Sequence, residues 1–161
     1  GSFSITVAKK KSKYKEVSHL IKWLLYKEQL FKYNDQKTFK LFFENIKKHK
    51  KVFRKLLIDL KKDKKKVIGY GASTKGNVIL QYCGIDSKLL PYICEVNQFK
   101  HDRYTPGSKI KIISEKKAKK LNPDFFLVLP WHFKNFILEK EKNFLDQNKN
   151  IIFPLPDIEV V

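Results

Sequence analysis

The chain has 161 residues and a formal net charge of +19, with 35 Lys and Arg against 16 Asp and Glu. That length suits one domain with a real core, and no apolar run approaches the roughly 18 residues of a membrane-spanning helix, so such a span is excluded. Two cysteines and four scattered histidines form no metal-ligand spacing, so no metal site is expected, and Cys83 and Cys94 read as reduced core residues of a cytoplasmic protein.

The lysine surplus invites a nucleic-acid reading. Against it, only Arg54 and Arg103 are arginine, the residue favoured for bidentate contacts to phosphate and base. The lysine runs at 9–13, 47–51 and 61–66 fall on helix faces or boundaries, where a solvated surface explains them. A basic nucleic-acid-binding module is therefore the weaker alternative. Met is absent, also at position 1, so the chain reads as a segment of something longer.

In chain order, Ser4–Ala8 alternates like a strand, either an edge or the last strand of a preceding domain. Residues from about 17 to 31 carry a helical pattern through Leu20, Ile21, Trp23, Leu24 and Leu25. A second helix over about 36–62 repeats Phe39, Phe42, Phe43, Ile46, Phe53, Leu56, Leu57 and Leu60 at three- and four-residue steps. Its aromatic stripe reads as core or interdomain packing rather than a stacking platform. Residues 1–65 are thus expected to be a linker strand and two bracing helices, and 66–161 a separate α/β domain.

From Lys66 the rhythm alternates between strand and helix. Strands are expected at Val67–Tyr70, Pro91–Glu95, Ile110–Ile113, Asp124–Leu129 and Ile151–Phe153. Helices are expected from about Lys75 to Cys83, ended by Gly84, from the Ser114 cap through Lys120, and from Trp131 to about Gln147. Alternating βα units predict a Rossmann-like, mainly parallel sheet with helices on both faces.

Ligands of such sheets bind beyond the carboxyl ends of the strands. One of those ends carries Tyr70-Gly71-Ala72-Ser73-Thr74-Lys75-Gly76-Asn77, where an apolar strand meets glycines, small hydroxyl residues and a helix start. Unpaired N–H groups and the positive end of the helix dipole make that junction a candidate anion site. Gly71 and Gly76 are expected to allow a sharp turn and close approach to a ligand. Ser73 and Thr74 can cap or donate, and Lys75 adds charge. Neither known phosphate loop is complete: a dinucleotide fingerprint from Gly69 meets Thr74 where a third glycine belongs, and a Walker loop from Gly71 lacks Lys-Ser or Lys-Thr after Gly76. A plain strand-to-helix turn and a stand-alone dinucleotide-binding (NAD-type) domain stay open as alternatives.

Two further ends converge on the same edge. Glu95 closes the second strand, where an acid accepts hydrogen bonds from ribose hydroxyls, with Asn97 beside it. Lys100, Arg103 and Tyr104 supply cations and a ring on the next loop, which Pro106-Gly107 holds in a turn. For Lys100 a solvated role competes with a ligand role. Trp131 and His132 follow the fourth strand, and for His132 ligand contact, capping and catalysis all stay open.

Together these runs resemble the C-terminal domain of S-adenosylmethionine-dependent nucleotide-sugar C-methyltransferases. The matching runs are Tyr70–Asn77, Tyr82–Ile85, Glu95–Lys100, Arg103–Gly107, Leu127–His132 and Ile152–Pro156, in the family's order over roughly residues 66–156. The resemblance implies a three-part enzyme: a zinc module, a cofactor-binding methyltransferase domain, and this Rossmann-like domain helping to hold the nucleotide sugar. It implies that S-adenosylmethionine and the general base belong to the preceding domain, so this chain alone is expected to lack catalytic residues, bound cofactor and activity. The chain departs from the family at Glu95, where aspartate is usual, and at His101-Asp102, where Gln-Gly is common. The sugar and base are left open by those changes.

Overall fold

A computed structural model describes residues 4–161, and the chain divides into two compact units, one ending at Glu44 and one starting at Asn45. The first unit contains α1 (Ser18–Leu30) and the start of α2 (Gln36–Lys62). Asp35 opens α2, its carboxylate accepting from the Lys37 amide at 2.8 Å. Both helices follow the expected bounds, yet α1 buries none of its residues. The strand expected at Ser4–Ala8 does not form; residues 4–9 have no regular structure. A lone extended segment leaves its backbone groups without a ladder, and no described strand pairs with it.

The second unit is an α/β layer structure built on β1 (Val67–Tyr70), β2 (Tyr92–Glu95), β3 (Lys111–Ser114), β4 (Phe125–Val128), β5 (Asn150–Phe153) and β6 (Glu159–Val160). The strands lie in the order β3-β2-β1-β4-β5-β6, all parallel except β6 against β5. This is the Rossmann-like topology the alternation predicts, with its order reversing between β1 and β4. The added edge strand β6 is too short to announce itself in the sequence.

Alternation along each strand sends side chains to two separate cores. On one face Val67, Ile93, Leu127 and Ile152 pack under Phe53 and Leu57 of α2 and Leu80 of α3 (Thr74–Cys83). Arg54 ties α2 to α3 by donating to the Cys83 and Gly84 carbonyls. Gly84 ends α3 in the left-handed conformation, as expected of a glycine cap. On the other face Ile68, Tyr70, Cys94, Phe126, Val128 and Ile151 pack under α4 (Glu115–Lys120), α5 (Lys134–Lys140) and α6 (Lys142–Leu145). Each buried Leu, Ile or Phe contributes roughly 1.5–3 kcal/mol. Cys83 and Cys94 are free and buried on opposite faces; burial pushes both thiols up, Cys94 to about 12.

The single helix expected over residues 131–147 is instead a 3-10 turn (Trp131–Phe133) followed by α5 and α6. The break falls at Glu141, only 1% exposed, whose carboxylate accepts from Tyr70 Oη at 3.0 Å and pairs with Lys119 Nζ at 2.7 Å. Among the described residues no helix is long and apolar enough to cross a membrane, and no cluster of ligating side chains suits a metal ion.

Candidate functional site

The carboxyl ends of β1, β2 and β4 meet where the strand order reverses. Gly71 leaves β1 with φ +81°, a backbone state that disfavours side chains, and its amide donates to the Cys94 carbonyl at 2.8 Å. Ser73 then caps α3, its Oγ accepting from the Gly76 amide at 3.0 Å.

Gly76 answers a packing constraint. A Cβ there would stand 2.5 Å from Leu129 Cβ, so glycine lets α3 lie close on the end of β4. Close helix-strand packing demands a glycine here.

Glu95, expected as a ribose acceptor, is engaged by groups of the chain itself. It is nearly buried, and its Oε1 accepts from the Asn97 amide at 3.0 Å. Its Oε2 accepts from the Ala72 amide at 3.0 Å and from Lys100 Nζ at 3.2 Å. Burial alone would push this carboxyl up; the Asn97 amide, the Lys100 ammonium and the Ala72 amide outweigh it and hold the group below its ordinary range. One acceptor position is left, on Oε1. Glu95 therefore ties the turn after β1 to the loop after β2.

Lys100 is held too, donating to the Ala72 carbonyl at 3.1 Å. Asn97 caps the short 3-10 turn Gln98–Lys100, accepting from the Phe99 amide at 3.0 Å. His101 Nε2 donates to the Glu95 carbonyl at 2.7 Å. Arg103 and Tyr104 ride on a segment folded back along β3 through the Ile112 amide and the Arg103 carbonyl, 2.8 Å apart.

Two cavities flank the Gly71–Ser73 turn. The first, of about 300 Å³, gathers Ala72, Ser73, Thr74, Asn77, Lys100, Arg103 and Tyr104 from among the expected residues. No carboxylate lines it. Asn77 lines it, and the Oδ1 of that residue is buried without a hydrogen-bond partner, the one such side-chain atom among the described residues. The second, of about 530 Å³, takes in Tyr70, Gly71, Ser73, Glu95 and Lys100. It also has walls the sequence reading missed, chiefly Phe133 and Phe136, with Glu115 and Lys140. Their spacing of three on α5 and the turn before it was the available signal. Lys75, Gly76, Asn97, Trp131 and His132 line neither cavity. Trp131 is half-buried against the core under α4–α6, and His132 is exposed with its ring 4.3 Å from that of Phe133.

Residues 1–156 match the family model for the C-methyltransferase C-terminal domain. The chain is 34% identical over 108 residues to C-methyltransferase NovU of Streptomyces niveus, a match covering 67% of this chain. That stretch is 26% of the relative, so the chain spans about a quarter of its length.

Proposed function

The chain belongs to the C-methyltransferase C-terminal domain family, and from that premise we propose that it is the substrate-holding part of an S-adenosylmethionine-dependent enzyme that methylates a carbon of a nucleotide-linked ketodeoxysugar. In this reading residues 66–161 hold the nucleotide sugar and residues 1–65 lead from a preceding methyltransferase domain of the same polypeptide. That domain binds S-adenosylmethionine, the source of the methyl group. The enzyme works in the reducing cytoplasm, without membrane or nucleic-acid partner.

One observation carries the reading. The first cavity is lined by two cations, Lys100 and Arg103, by Ser73 and Thr74, and by Asn77, whose buried Oδ1 has no partner. Leaving a buried acceptor unpaired costs about 1–3 kcal/mol. A ligand hydroxyl donating to Asn77 Oδ1, once that side chain turns into the cavity, removes that cost, while its diphosphate meets the cations. This chain's residues bind and orient; orientation of a reacting carbon is worth up to roughly 7–11 kcal/mol in favourable cases.

Calorimetric titration with UDP-glucose and dTDP-glucose tests the proposal. Wild-type chain is expected to bind one of them, and Asn77→Ala to weaken binding by about tenfold. The chain is expected to show no micromolar affinity for S-adenosylmethionine. An unchanged dissociation constant for Asn77→Ala and Arg103→Gln, or stoichiometric cofactor binding, overturns it.

A further inference from the structure

The two cavities differ in charge more than in size. Every ionised group lining the larger one is paired: Glu95 with Lys100 at 3.2 Å and Glu115 with Lys140 at 2.6 Å. Tyr70 donates to Glu141, and burial together with the facing Glu141 and Glu115 carboxylates pushes its phenol up, so it stays neutral. The smaller cavity holds Arg103 as well as Lys100, whose charge Glu95 offsets, and no carboxylate lines it. Phe133 and Phe136 wall the larger one while remaining 56% and 64% exposed. They are large apolar rings beside a cavity of about 530 Å³ with no net charge to attract an anion. Ser73 and Lys100 are the two residues that line both cavities.

Resting on the nucleotide-sugar reading, we infer that the larger cavity is a ring site, in which a neutral nucleobase stacks against Phe133 and Phe136 while the diphosphate crosses at Ser73 and Lys100 into the cationic cavity. A neutral planar ring gains from aromatic walls and loses nothing to paired charges, whereas a phosphate placed there meets two carboxylates. Lys100 is suited to the crossing point because Glu95 and the Ala72 carbonyl fix its ammonium between the cavities.

The test titrates the 161-residue chain with UDP-glucose, uridine and glucose 1-phosphate. Replacing both Phe133 and Phe136 by Ala is expected to weaken UDP-glucose binding by roughly 5- to 100-fold, the range of base-aromatic stacking, and to leave glucose 1-phosphate unchanged. In wild-type chain, uridine is expected to shift the NMR signal of the Ile137 methyl groups, which line the same cavity. This second readout needs no variant. If UDP-glucose binds wild type and the double variant equally, or uridine shifts Tyr104 instead of Ile137, the ring site falls and the nucleotide-sugar reading stands. If wild type binds none of the three and does not bind dTDP-glucose either, both fall.

Discussion

Along α2, Phe39, Phe42 and Phe43 keep more than half of their surface exposed, whereas Phe53 and Leu57, on the same three- and four-residue rhythm, are sealed under the sheet. Both halves are helical and both are interrupted by lysines. Periodicity states that a face is apolar; a partner surface is needed to make it core. The second half of the helix finds β1, β4 and β5 of its own unit, and burial is decided there rather than in the helix.

The largest effect that can break this contrast is Phe53→Ala. Removing a fully buried ring is expected to cost about 3–5 kcal/mol. Phe42→Ala, at 63% exposure, is expected to stay within about 0.5 kcal/mol. Denaturant unfolding of both variants decides the matter, and equal losses would mean that the first half of α2 is also packed.

Gly76→Ala comes next and probes how closely the sealed side is packed. Two effects oppose each other. Alanine raises helix propensity by about 1 kcal/mol over glycine, but its Cβ stands 2.5 Å from Leu129 Cβ. Overpacking of this kind costs about 1–3 kcal/mol, and a net loss is expected in thermal melts. A gain would show that α3 can slide away from β4.

The smallest effect is expected at Glu95, within the second unit. Its folded-state pKa lies below the ordinary value of 4.5, so its stabilisation is complete above 4.5 and fades as pH falls through the lower folded value. The melting-temperature gap between wild type and Glu95→Gln is therefore expected at pH 7 and to shrink toward pH 3. A gap that does not vary with pH would mean that neutral contacts hold the turn.

The five longer strands and α3 were legible because apolar runs are punctuated by glycine and hydroxyl residues, down to Ser73 and Gly84 as caps. What escaped notice depends on partners distant in the chain. β6 exists only through β5, and the break at Glu141 coincides with contacts to Tyr70 and Lys119. At the site, the expected clusters do gather at one sheet edge, but residue type did not reveal which atoms were already occupied. Glu95 looked like an open acid because its partners are backbone amides, one of them 23 residues away. Phe133 and Phe136 drew no reading, because spacing alone does not distinguish an aromatic facing a cavity from one facing a sheet.

Both thiols lie beneath the sheet's helices, with Cys83 2% and Cys94 1% exposed and their protons held tightly. Buried, protonated cysteine is chemically inert, since the thiolate is the nucleophile. The chain therefore has a silent background for covalent labelling: a single reporter introduced by Phe99→Cys, at a position 87% exposed on the loop after β2, would take up a maleimide dye alone. Its emission would report occupancy of the neighbouring cavities without removal of either native cysteine.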